Sequence, residues 1–191
     1  MRSDVCHFTM RKLTHQEILD RQAVKAREPF LPLTVVLNNI RSLYNVGSIF
    51  RTADGAGVEK IWLCGITGTP DQPGVRKTAL GAEERIPWQH SADIHEVIRD
   101  LKKEQYQIVL LEQTDQSLPY QEFIPRGPVV LIIGNEIEGI SPQLTALADA
   151  AVEIDMAGIK NSLNVAVAFG IVAYHLRHGL QKRPLASPTR K

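Results

Sequence analysis

Three short segments carry the side chains able to do chemistry, and each combines amides, hydroxyls, glycines and a single charge rather than a nucleophile beside a base. In "NNIRSLYNVGSIFRTAD", residues 38–54, Asn45, Gly47 and Arg51 fall where a loop turns into a helix. Gly47 allows close approach of a ligand or another backbone, and Arg51, one turn further on, is expected to swing its guanidinium back toward the strand ends. A capped helix with a surface arginine is the plain alternative. In "IIGNEIEGIS", residues 132–141, a glycine directly after an apolar run precedes Asn135, Glu136 and Gly139. Such a turn exposes backbone donors and carbonyls of the kind that read small polar molecules such as adenine, although Gly-Asn also punctuates ordinary turns. In "IDMAGIKNSLNVAVAFGIVAYHL", residues 154–176, Asn161 or Ser162 is expected to cap a helix. Asn164 then lies in its first turn, aimed at a partner, or satisfied internally as a buried cap.

Other chemistries lack their signatures. No GxGxxG follows the first apolar run, and there is no GxxxxGKS, HExxH or GxSxG. The six histidines are scattered, and the two cysteines, Cys6 and Cys64, differ too much in setting for a disulfide framework or a zinc site. No metal is therefore expected. At 191 residues, 43% hydrophobic and 23% charged, the chain has the size and composition of one globular domain with short extensions. No apolar run approaches the ~18 residues of a membrane span, and no signal-peptide core opens the chain, so the cytoplasm is the expected location.

The elements that must position these segments alternate. Thr14 with Glu17 forms a capping box for a first helix running to about Arg27. Short apolar runs follow at 33–37, from Lys60, from Tyr106, from Pro128 and from Ala151, with helical patterns from Val46, from Ser91, from Ser141 and from Ser162 to about Gly179. Continuous apolar strands linked by helices imply an α/β fold, a parallel sheet covered by helices on both faces. Its ligand site should lie beyond the carboxyl ends of the strands, in the loops after Leu37, Ile66, Glu112, Ile133 and Ile154. The last helix is apolar on every side and is expected to be deeply packed.

Charge is uneven: six Lys/Arg against four Asp/Glu in residues 1–29, eleven against seventeen in 30–176, and five against none in 177–191. Basic ends around a more acidic body suit a polyanion as well as solvated tails. The expected division is a basic helical extension over residues 1–30, a main α/β domain over 31–179 and a basic tail over 180–191. Arg11, Lys12, Arg21, Lys25, Arg41, Lys182 and Arg183 are the candidate phosphate contacts, with a steep salt dependence expected.

In order and spacing the three segments resemble the SpoU/TrmH branch of the SPOUT RNA methyltransferases, over roughly residues 33–178, with "KTALGAEE" at 77–84 similar to the family's link after the second strand. The resemblance implies a C-terminal deep trefoil knot, S-adenosylmethionine bound within it, a homodimer with the active site at the interface, and methyl transfer to a ribose 2′-hydroxyl of tRNA or rRNA. Carried over residue by residue, it places Leu111, Gly134, Ile154, Met156 and Leu163 around the cofactor, and Asn45, Arg51, Glu136, Ser162 and Asn164 around the reacting hydroxyl. Because a guanidinium pKa above about 12 makes Arg51 a poor proton acceptor, Arg51 is assigned to a backbone phosphate and to developing alkoxide charge. Two alternatives are a non-catalytic RNA-binding or ribosome-associated module with the same fold, and a cofactor-binding α/β enzyme acting on a small molecule.

Overall fold

The computed structural model describes residues 10–182. Seven strands, β1 (Leu31–Asn38), β2 (Val58–Cys64), β3 (Trp88–Ser91), β4 (Gln107–Leu111), β5 (Leu118–Pro119), β6 (Val129–Ile133) and β7 (Ala150–Glu153), form one sheet in the order β3-β2-β1-β6-β4-β7-β5. Every neighbouring pair is parallel. The central strands β1 and β6 are buried along most of their length, as their unbroken β-branched and aliphatic runs require.

Helices α2 (Leu43–Ala56) and α7 (Val165–Gln181), with the short α3 (Pro73–Ala79) and α4 (Ala82–Arg85), cover one face of the sheet around Phe50 and Phe169. Helix α5 (Ile94–Lys103) and the four-residue α6 (Pro142–Thr145) cover the other around Ile98 and Ile132. Helix α1 (His15–Lys25) has the expected capping box from Thr14 and Glu17 and no buried residue. No helix among the described residues is long and apolar enough to cross a membrane.

Several local expectations are corrected. The helix cap is neither Asn161 nor Ser162: α7 begins at Val165 with Asn164 as N-cap, its Oδ1 accepting from the backbone of Ala166 at 2.9 Å and of Val167 at 3.4 Å. The three residues before it stay outside the helix because they belong to the loop that closes over the strand ends. Helix α7 is also not packed all round. Phe169, Val172, Ala173, Leu176 and Leu180 are buried, whereas Val167 and Tyr174 are about half exposed at 53% and 51%. Because Leu180 is buried and α7 continues to Gln181, the packed body extends past residue 179. The elements α3, α4, β3 and β5 are additional to those read from the sequence.

Two backbone positions set the loops at the strand ends. Asn39, directly after β1, has φ +59°, a left-handed conformation that asparagine tolerates better than most residues. Its Oδ1 accepts from the backbone of Ile66 and its carbonyl from Asn135 Nδ2 at 2.8 Å, so one turn ties the ends of β1, β2 and β6 together. Gly47 packs α2 against α3: an added Cβ would collide with Thr78 Oγ1 and the carbonyl of Val75.

Candidate active site

A cavity of about 1060 Å³ opens at the carboxyl ends of β1, β6, β4 and β7. Four of the five loops marked by the strand-end rule line it, and that after β2 does not. Its walls include Leu111, Ile133, Ile154, Met156 and Leu163 among the apolar groups, with Gly134 between them. A Cβ at Gly134 would stand 2.6 Å from the backbone of Gly139 and from Ile140 Cγ1. Glycine is therefore required for the 134–139 loop to fold back on itself through the Asn135–Gly139 bridge.

The polar rim is one hydrogen-bonded chain through all three chemistry-bearing segments. Asn164 Nδ2 donates to Asn45 Oδ1 at 3.1 Å, Asn45 Nδ2 donates to Glu136 Oε1 at 3.1 Å, and the backbone N–H of Arg41 donates to Glu136 Oε2 at 3.2 Å. Asn45 stands in the first turn of α2, which Ser42 caps by accepting from the Asn45 backbone. Partial desolvation pulls the Glu136 carboxyl upward, but donors from its own backbone, Asn45, Arg41 and Ser42 outweigh this and hold it below the ordinary 4.5. At neutral pH Glu136 is thus an ionised acceptor that fixes the asparagines.

Asn45, Glu136, Ser162 and Asn164 line the cavity together with all five residues assigned to the cofactor, and Arg41 stands at its mouth. Arg51 does not line it. Six residues along α2 amount to roughly 240° of rotation, so Arg51 faces solvent while Asn45 faces the start of α7. Among the basic candidates, Lys12, Arg21, Lys25 and Lys182 are exposed, whereas Arg11 makes a paired contact with Glu17 at 2.6 and 3.0 Å. Arg183 and Cys6 lie outside the described residues.

Sequence reading missed two neighbours at the end of β4. Glu112 accepts from the backbone of Ile140 at 3.0 Å, and Gln113 Nε2 donates to the carbonyl of Asn161 at 2.8 Å. This adjacent pair fastens both loops of the cavity, 134–141 and 155–164, to the sheet. The strand-end rule pointed to this turn, but neither side chain has a distinctive spacing.

The donor set suits a nucleoside-like, partly apolar ligand. The volume is at the upper end for small-molecule sites, the walls are aliphatic, and glycine-containing turns present backbone groups. Among the described residues no group of three His, Cys, Asp or Glu side chains could hold a metal ion. Burial, and secondarily the negative charge of Asp93, push the Cys64 thiol up to about 12, which leaves it inert as a nucleophile.

Comparison with known proteins agrees with this geometry. The model of the SpoU rRNA Methylase family matches residues 32–174. The tRNA (guanosine(18)-2′-O)-methyltransferase of Thermus thermophilus is 30% identical over 172 residues, covering 87% of each chain. The crystal structure of the Aquifex aeolicus TrmH/SpoU tRNA modifying enzyme is similar with a TM-score of 0.76 and 26% identity, over 87% of this chain and 84% of that one. That of an AdoMet-bound rRNA methyltransferase from Sinorhizobium meliloti has a TM-score of 0.73 and 33% identity, over 78% of this chain and 56% of the other. Through most of its length, and through the three segments that build the cavity, this chain belongs to the SpoU rRNA methylase family.

Proposed function

We propose that this protein transfers a methyl group from S-adenosylmethionine to a ribose 2′-hydroxyl of tRNA or rRNA. The observation that carries the reading is the single hydrogen-bonded rim, Asn164 to Asn45 to Glu136, set over an apolar cavity with glycine turns. It is supported by relatives named as 2′-O-methyltransferases and by an AdoMet-bound neighbour. A non-catalytic module would have no use for a cavity of this size joined to that rim.

S-adenosylmethionine supplies a methyl group already activated as a sulfonium, so the protein's task is alignment and charge stabilisation. The aliphatic walls formed by Leu111, Ile154, Met156 and Leu163 would hold the adenosine, and backbone groups at Gly134 and the 154–156 turn would read its polar atoms. Asn45 and Asn164, fixed by ionised Glu136, orient the ribose, and Ser162 borders the same space. Arg51 holds a phosphate and stabilises alkoxide charge.

The outward position of Arg51, together with the half-exposed Val167 and Tyr174 of α7, fits a homodimer in which each copy presents Arg51 to the other's cavity. Such a dimer would cover the apolar stripe of α7. The proposed knot has its support in the same region: from β7 the chain passes the end of β4, where Gln113 grips Asn161, before α7 packs back against α2 and β1. Residues 1–30 and the basic tail are assigned to RNA phosphates, within a cytoplasmic, metal-free enzyme.

The test is incubation with unmodified tRNA and rRNA transcripts and methyl-labelled cofactor, followed by alkaline hydrolysis. Label in alkali-resistant dinucleotides is expected, because a methylated 2′-hydroxyl cannot attack the adjacent phosphate. Arg51→Lys should lose most of this activity, since lysine lacks the planar fork. Label confined to the bases, or none with any RNA, would overturn the reading.

A further inference from the structure

Beside the cavity mouth lies a surface of which the methyl-transfer reading uses only Arg51. Tyr44, between the cavity-lining Ser42 and Asn45, is 52% exposed, and its ring carries the Lys77 ammonium at 5.6 Å from the centroid. The platform is built rather than incidental. Thr78 Oγ1 donates to the carbonyl of Tyr44 at 3.0 Å, docking α3 on the first turn of α2. Leu80, three residues after Lys77, is held at φ +53° with its side chain 66% exposed, a strained conformation for a leucine facing water. Arg41 stands on the cavity side, and Arg51, seven residues beyond Tyr44, shares its helix face ~10 Å along the axis. The nearby carboxylate of Asp54 is paired with Arg85 at 3.1 Å.

An exposed aromatic ring flanked by three cations suits single-stranded RNA: every nucleobase has a face to stack, and the cations meet phosphates on either side. A protein partner over Tyr44 fits less well, because burying Lys77 and Arg41 without acidic counterparts would desolvate two charges. We propose that Tyr44 is a stacking platform for an unpaired nucleobase adjacent to the target nucleotide, with Lys77 and Arg41 holding its phosphates. The inference rests on RNA being the substrate, and it adds that the target lies in an unpaired stretch.

The measurement is fluorescence anisotropy of the intact protein with a labelled short oligoadenylate and with an abasic ribose-phosphate strand of equal length. The wild type is expected to prefer oligoadenylate. Tyr44→Ala should lose roughly tenfold in affinity for it and none for the abasic strand, while Tyr44→Phe keeps the preference. Lys77→Ala should weaken both strands alike and flatten the salt dependence. Equal binding of the two strands by the wild type would overturn the proposal. So would a preference that survives Tyr44→Ala, or a change of sedimentation mass in that variant. The assay needs no cofactor and reads no methyl transfer, so failure of the methyltransferase reading would show separately in the labelling experiment.

Discussion

Glu136 is the residue on which the rim turns, since it accepts from both the α2 side chain and the loop before it. Glu136→Gln keeps one accepting oxygen but sets an NH2 donor against the other of its two donors, and on this exposed site it is expected to lower cofactor affinity roughly tenfold, toward the lower end for hydrogen bonds to a charged group. Its folded-state pKa is held below the ordinary 4.5, so its contribution is fully present above that value and is lost as pH falls through the lower folded one. Cofactor affinity of the wild type, followed by titration from roughly pH 7 downward past the ordinary carboxyl value to the acid limit of the folded protein, should stay level down to that value and drop only below it, whereas Glu136→Gln should lack that acid limb. An acid limb persisting in Glu136→Gln would assign it to another group. Asn45, Glu136 and Asn164 stand out in the sequence as amides and a carboxylate at turns and helix starts, but it is the family resemblance of the three segments, rather than any spacing, that groups them with Ser162 around one site. The direction of Arg51 could not be read there, because it depends on the rotational phase of α2, which begins at Leu43 rather than at Val46.

Helix α7 joins the fold's stability to its site through one side chain, because Asn164 both caps the helix and holds Asn45. Asn164→Ala is expected to destabilise the protein by about 1 kcal/mol in denaturant unfolding, the usual cost of a lost N-cap. Asn164→Asp keeps the capping oxygen but has no Nδ2 donor for Asn45, so it should unfold like the wild type while losing methyl-transfer activity. If both variants lose activity and stability in proportion, the rim contact has no role of its own. The long elements were legible in the sequence: aliphatic runs gave β1, β2, β4 and β6, and the capping box gave α1. The short ones, β3, β5, α3 and α4, span two to seven residues and are too brief to show a periodicity. The start of α7 was placed too early because Asn161, Ser162 and Asn164 are all competent caps, and the one chosen is the one that reaches Asn45.

At the scale of the molecule, the strand order brings the ends of β1, β6, β4 and β7 side by side, so segments more than 100 residues apart, such as Asn45 and Asn164, meet at one cavity. No local pattern specifies that order, and the fold class alone could be read from the alternation of elements. The same arrangement explains why one adjacent pair, Glu112 and Gln113, can fasten two separate loops: β4 lies between β6 and β7, whose following loops it holds. The central claim is that this cavity is the S-adenosylmethionine site. Isothermal titration of the purified protein with S-adenosylmethionine, beside a Met156→Trp variant that fills the cavity from a half-buried loop position, tests it most directly. Micromolar binding by the wild type, lost in the variant while its thermal midpoint is unchanged, is the predicted result. No heat with folded wild type, or equal binding by both proteins, would contradict it.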